Sequence, residues 1–230
     1  MVTVPAPHPK RHPPRHAVLV TSGGLNSTVL AHWLAACHSR VTMLSFDYGR
    51  PQRVELHHAA EIAELLAVEH HVVDLTSLAT VLRGSASAGD AITVPDGHNT
   101  VMPNRTPIML DIAIGLAVVK QADAVAYGAH SVSPTVSPDC RQVFVDFTDV
   151  ARRNNKGFLA DDFAVLAPFL HQSKVDIVRL GLSLGVPFDK TWSCHREGTV
   201  HCGTCATCVE RVEAFVAADV ADPTRYAVRQ

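Results

Sequence analysis

The run AVLVT (17 to 21) is short, apolar and β-branched, and it ends in Ser22-Gly23-Gly24 before Leu25, Val29, Leu30, Trp33 and Leu34 recur at helical spacing. A buried strand that turns on glycines straight into a helix is the opening unit of a parallel α/β sheet. The rhythm repeats. VTMLSF (41 to 46), HHVVDL (70 to 75), DAVAYGAH (123 to 130) and FAVLAP (163 to 168) read as strands, with helices expected over 25 to 38, 52 to 67, 106 to 121, 142 to 152, 173 to 184 and, near the C-terminus, a short one over 206 to 217. Ser173 can cap the helix over 173 to 184 and Gly185 can end it. Four or five βα units predict an α/β fold, a Rossmann-like, open, mostly parallel sheet with helices on both faces. Ligands then bind in the loops beyond the strands' carboxyl ends.

Within 230 residues this unit leaves room for one core with small attachments. The expected division is a tail over 1 to 16, rich in proline, a main domain over 17 to 190, and a C-terminal segment over 191 to 230 that packs on it. A hydrophobic fraction of 47% and a charged fraction of 18% fit a globular chain. The apolar runs are too short to span a bilayer, and the first 16 residues lack the apolar stretch of a secretory signal. A cytoplasmic protein without membrane contact is expected. The net charge of −2 offers nucleic acid no global attraction, so a small-molecule substrate is the simpler expectation. The glycine- and serine-containing stretch from 83 to 103 is long enough for a functional loop.

The turn Thr21-Ser22-Gly23-Gly24-Leu25-Asn26-Ser27-Thr28 brings backbone N–H groups and the positive end of a helix dipole together, which suits an anion. Hydroxyls of Ser22, Ser27 and Thr28 add donors. No lysine follows the glycines and the glycines are adjacent, so neither the kinase-type phosphate loop nor the dinucleotide fingerprint fits.

Four of the six cysteines, Cys194, Cys202, Cys205 and Cys208, are spaced C-x7-C-x2-C-x2-C near the C-terminus. Four thiolates so spaced can close around a structural zinc ion. An iron–sulfur run would place its fourth cysteine, followed by proline, downstream, whereas here the fourth lies upstream. His195 and His201 flank the cluster, and with four thiolates available they read as histidines that face solvent or substrate.

The glycine turn resembles SGGxDS, the signature of pyrophosphate-loop ATPases, with Asn26 where that signature has aspartate. SFDYG (45 to 49), Glu55, MPNR (102 to 105), SPDCRQVF (137 to 144), the Lys174 segment, TWSC (191 to 194), CGTCATC (202 to 208) and DPTRY (222 to 226) extend the likeness. Together they resemble the 7-cyano-7-deazaguanine synthase family over residues 17 to 226. The resemblance implies an adenine nucleotide alpha hydrolase-like fold, a structural zinc, a homodimer, and ATP with Mg2+ as co-substrate. It further implies that a 7-deazaguanine carboxylate is adenylated, converted by ammonia to the amide, and dehydrated to the nitrile with a second ATP.

By the same resemblance Ser22, Gly23, Gly24, Leu25, Asn26, Ser27 and Thr28 bind ATP, with Asp47 and Tyr48 placed for nucleotide recognition. Lys174 and Arg105 offset phosphate charge. Asp139 and Arg141 match a segment near the substrate, although Asp139 could instead cap a helix, and Cys140 reads as a small buried side chain rather than a nucleophile. Several motif positions depart from the family: Asn26, Arg50, Asn104, Thr106, Val136, Ser137 and His195. A neutral amide is a poorer ligand than a carboxylate for a hard cation. Two variants therefore accompany the main expectation: transfer of the activated carboxylate to another amine, for example on a protein acceptor, and a catalytically silent nucleotide-binding protein.

Overall fold

The structure, a computed structural model, describes residues 12–49, 54–83, 104–130, 147–196 and 198–228. Five strands, β1 (His16–Val20), β2 (Arg40–Asp47), β3 (Glu69–Asp74), β4 (Ala124–Tyr127) and β5 (Ala164–Leu166), form one sheet in the order β3-β2-β1-β4-β5. Every pairing is parallel, with Ala17 opposite both Val41 and Ala124. The helices are α1 (Leu25–Ala36), α2 (Val54–Leu66), α3 (Thr76–Arg83), α4 (Arg105–Lys120), α5 (Phe147–Asn154), α6 (Lys174–Ser183) and α7 (Ala206–Ala217).

All five residues of β1 are buried, because a central parallel strand is covered on both faces. One face packs Leu19 and Met43 against Leu30, Trp33 and Leu34 of α1, Ile177 and Val178 of α6 and Phe215 of α7. The other packs Val18, Val20 and Phe46 against Leu110, Ala113 and Ile114 of α4 and Ala151 of α5. At about 1.5–3 kcal/mol for each large apolar side chain taken out of water, these two layers hold the sheet. Its order reverses between β1 and β4, which opens a crevice at their carboxyl ends.

The expected elements occur, with shifted ends. α7 has the expected bounds. α6 starts one residue after Ser173, whose hydroxyl accepts from the Asp176 N–H while the Asp176 carboxylate accepts from the Ser173 N–H. The strand begins at His16 rather than Ala17, because the Asp123 carboxylate accepts from the Arg15 and His16 backbone N–H groups and draws the end of the expected tail into β1. Two short pieces were unforeseen, α3 and a single 3-10 turn at Phe188–Lys190. Most of the expected 83–103 loop lies outside the described residues, and the expected 142–152 helix is described only as α5. No helix among the described residues is long and apolar enough to cross a membrane.

Candidate active site

The glycine turn lies at the switch point, between β1 and α1. Gly23 has φ +73, and a Cβ there would sit 2.3 Å from the Glu55 carbonyl oxygen. Only glycine suits both constraints. Ser27, buried, braces the turn from inside: its hydroxyl donates to the Gly24 carbonyl at 3.2 Å and accepts from the Thr21 hydroxyl at 3.2 Å. Thr28 is fully buried on the first turn of α1. The Ser27 hydroxyl thus shapes the loop from below, the Thr28 hydroxyl makes no hydrogen bond among the described residues, and Ser22, which is exposed, carries the hydroxyl on the outer surface. The α1 N-terminus, capped at Gly24, has no side-chain cap, so its leading N–H groups remain for an anion. Leu25 anchors this end in the core at 2% exposure.

Asn26 points sideways from α1. Its amide donates to the Gly128 carbonyl at 3.2 Å and to His130 Nδ1 at 3.1 Å, both just after β4. His130 Nε2 lies 3.1 Å from Glu210 Oε1, and Glu210 Oε2 lies 3.4 Å from the Lys174 ammonium. Burial alone would raise the Glu210 carboxyl, but the hydrogen bond from His130 and the charge of Lys174 reverse this and hold it at about 2. Gly128 allows the approach, since a Cβ there would stand 3.2 Å from the Ser27 nitrogen. Two of the expected residues, Asn26 and Lys174, are thus joined through two that motif reading missed, His130 and Glu210.

A second group lies at the carboxyl end of β2. Asp47 is buried, and its carboxylate accepts from the Gly49 N–H at 3.0 Å. The Arg105 guanidinium, at the start of α4, lies over the Tyr48 ring at 5.8 Å. This cation–π geometry orients the guanidinium. Asp139, Cys140 and Arg141 lie outside the described residues, as does Arg50.

The cysteine segment docks directly on the glycine loop, where the Trp192 N–H donates to the Gly23 carbonyl at 3.0 Å. The sulfurs of Cys194, Cys202, Cys205 and Cys208 lie within 4.8 Å of one another. A single tetrahedral ion about 2.3 Å from each sulfur needs sulfurs about 3.8 Å apart, so the four could hold one metal ion with little movement. Burial opposes a thiolate at Cys202, but N–H donors from Thr204 and Cys205 outweigh it and bring its pKa down to about 6.

His201 departs from expectation. It faces neither solvent nor an open site: it is 5% exposed, packs on Trp192 with ring centres 4.2 Å apart, and accepts from the Ser193 N–H at 3.0 Å. Beneath it Arg211 is fully buried, paired with Asp222 at 3.0 Å and donating to the Thr191 hydroxyl at 2.7 Å and the Phe188 carbonyl at 2.9 Å. Tyr226 completes this hub with a 2.6 Å bond to Asp222.

Residues 16–219, which carry the glycine loop at the switch point and the cysteine cluster docked on it, match a family model described as queuosine biosynthesis protein QueC. The chain belongs to the QueC family. It is 46% identical over 91% of both chains to a 7-cyano-7-deazaguanine synthase of Allorhizobium ampelinum. It is 44% identical to 7-cyano-7-deazaguanine synthase 1 of Mesorhizobium japonicum, over 92% of this chain and 93% of that one. Among solved structures, the U34-tRNA thiolase NcsA of Methanococcus maripaludis, a protein with a [4Fe-4S] cluster, aligns with TM-score 0.51 and 16% identity over 89% of this chain. The NH3-dependent NAD synthetase of Campylobacter jejuni aligns with TM-score 0.50 and 15% identity over 76% of this chain. The chain spans 64% and 66% of those two proteins, and the likeness shows a shared fold. QueC membership, the parallel α/β fold and a cluster able to hold metal therefore agree with the sequence reading.

Proposed function

We propose that this QueC-family chain is an ATP-dependent, amide- and nitrile-forming C–N ligase that converts 7-carboxy-7-deazaguanine and ammonia to 7-cyano-7-deazaguanine, AMP and pyrophosphate. The observation that carries the reading is the uncapped α1 N-terminus behind Gly23, set at the switch point of a parallel sheet with Lys174 linked to it through Glu210 and His130. A carboxylate is a poor electrophile. Its oxygen attacks the α-phosphorus of ATP, the α–β bridging bond breaks, and pyrophosphate leaves.

Ammonia then attacks the acyl carbon, AMP departs with a carboxylate oxygen, and a proton is lost to solvent. The amide oxygen attacks a second ATP in the same way, and loss of AMP with the remaining N–H protons leaves the nitrile. The N–H groups of Gly24, Leu25 and Asn26 and the α1 dipole bind the departing pyrophosphate. Lys174 and Arg105 offset its charge, Ser22 adds a hydroxyl, and Asp47 and Tyr48 border the nucleotide. Asp139 and Arg141 are the candidates for the guanine-like edge, for which a carboxylate can accept from the amino and ring N–H groups.

Mg2+ enters with ATP as part of the co-substrate. Zinc suits the cysteine set: four sulfurs close enough to surround one ion leave no open position, so the metal has a structural role and fixes the segment that docks on Gly23. A homodimer accords with the resemblance.

The test is incubation of zinc-loaded protein with MgATP, 7-carboxy-7-deazaguanine and ammonium, followed by mass spectrometry of the deazapurine. Nitrile together with AMP supports the reading. Amide or adenylate that accumulates without nitrile points to another acceptor amine, such as one on a protein, and no AMP at all overturns ligase activity and favours a binding role.

A further inference from the structure

The contacts Asn26–His130–Glu210–Lys174 run through four separate parts of the fold: α1, the turn after β4, α7 and α6. Their polarity is fixed from one end. Asn26 must turn its Nδ2 toward the Gly128 carbonyl, because oxygen facing oxygen would repel, and the same NH2 then donates to His130 Nδ1. His130 Nδ1 is the acceptor, so its proton sits on Nε2 and donates to Glu210 Oε1. The second Glu210 oxygen faces the Lys174 ammonium. An aspartate at position 26 would set a carboxylate against the Gly128 carbonyl. The amide is thus the side chain that lets this network start in the glycine loop.

We propose that Glu210 and His130 are positioning residues for adenylation, which hold the Lys174 ammonium in fixed register with the glycine loop. The inference rests on the reading of Lys174 as a side chain that meets the nucleotide phosphates. Glu210 lies on α7 two residues beyond Cys208, so the cysteine segment contributes directly to the geometry of the site besides docking on Gly23. α6 and α7 pack directly against each other on one face of the sheet, and a rigid counter-ion keeps a long lysine from sampling other rotamers. Arriving phosphates compete with Glu210 for that ammonium. Glu210 therefore weakens ground-state binding of ATP slightly while it increases the fraction of bound ATP that meets a correctly placed charge.

The experiment is a double-mutant cycle on the full-length, zinc-loaded protein with Lys174→Met, Glu210→Gln and the pair. Two quantities are measured: MgATP affinity by titration calorimetry, and kcat for AMP release with 7-carboxy-7-deazaguanine and ammonium. Lys174→Met is expected to weaken MgATP about ten-fold. Glu210→Gln is expected to tighten MgATP about three-fold and to lower kcat about ten-fold, with zinc content and thermal midpoint unchanged, and both effects should vanish in the Lys174→Met background.

His130→Asn, a second variant should Glu210→Gln fail to fold, is expected to move the same two quantities in the same directions and less far. If Lys174→Met leaves MgATP affinity unchanged, the phosphate reading of Lys174 fails and the inference falls with it. If Lys174→Met weakens binding but Glu210→Gln changes neither quantity, or its effects persist with Met at 174, the inference alone is overturned.

Discussion

The glycine loop and the cysteine segment meet where the Trp192 backbone N–H donates to the Gly23 carbonyl, yet they are held in different ways. The loop is set by backbone: β1 is paired on both sides, Gly23 takes a left-handed φ, and Ser27 braces the turn. In the cysteine segment α7 is the one helix among the described residues, and the chain before it is organised by side chains. Four sulfurs gather at one end, close enough to take a metal ion, and the buried Arg211–Asp222 pair holds the other. Topology alone thus secures half of the site's frame, and specific side-chain chemistry secures the rest. The two halves should fail separately.

The largest expected effect is on the cysteine side. Metal removal by chelation, or Cys202→Ser, should unlock residues 191–205 in hydrogen exchange while the amides of β1, β2 and β4 stay protected, and AMP release should drop by at least ten-fold. Equal loss of protection in the sheet would break the comparison. Arg211→Ala comes next. It leaves Asp222 buried without its cation, and it should cost about 3–5 kcal/mol in denaturant unfolding, with the loss concentrated in the C-terminal segment.

On the loop side, Gly23→Ala forces a positive φ and a 2.3 Å approach to the Glu55 carbonyl. A cost of about 1–3 kcal/mol is expected, with MgATP affinity lowered at least ten-fold by calorimetry and the cysteine segment still in place. The smallest effect is a pH dependence beneath the loop. The Ser45 hydroxyl donates to the Thr21 carbonyl and contacts His70 Nε2 at 2.9 Å, and burial lowers the His70 pKa below 6.5. Below about pH 6.5 the unfolded chain takes up a proton that the native histidine resists, so stability declines as pH falls from there toward the lowered native value. His70→Gln should make the decline shallower, measured as unfolding free energy against pH.

The strand-and-helix rhythm was legible because buried parallel strands and amphipathic helices carry their periods in the sequence. α7, for example, has the expected bounds, 206 to 217, and Ser173 caps α6 as its sequence position suggests. α3 was missed because eight residues give too few repeats of a helical period. The loop and cysteine motifs could be read because their chemistry is local in sequence. Glu210, His130 and Arg211 could not, since their partners are 11 to 104 residues away and meet them only in the folded chain. His201 misled for the same reason: nothing adjacent to it announces the Trp192 ring that covers it.

The most direct measurement follows one oxygen atom. With 7-carboxy-7-deazaguanine labelled with 18O in its carboxylate, MgATP and ammonium, an acyl-adenylate intermediate must pass a labelled oxygen to the phosphate of AMP, and mass spectrometry should show heavy AMP formed in step with amide and nitrile. Unlabelled AMP, or ADP in its place, would contradict adenylation of the carboxylate and with it the proposed reaction.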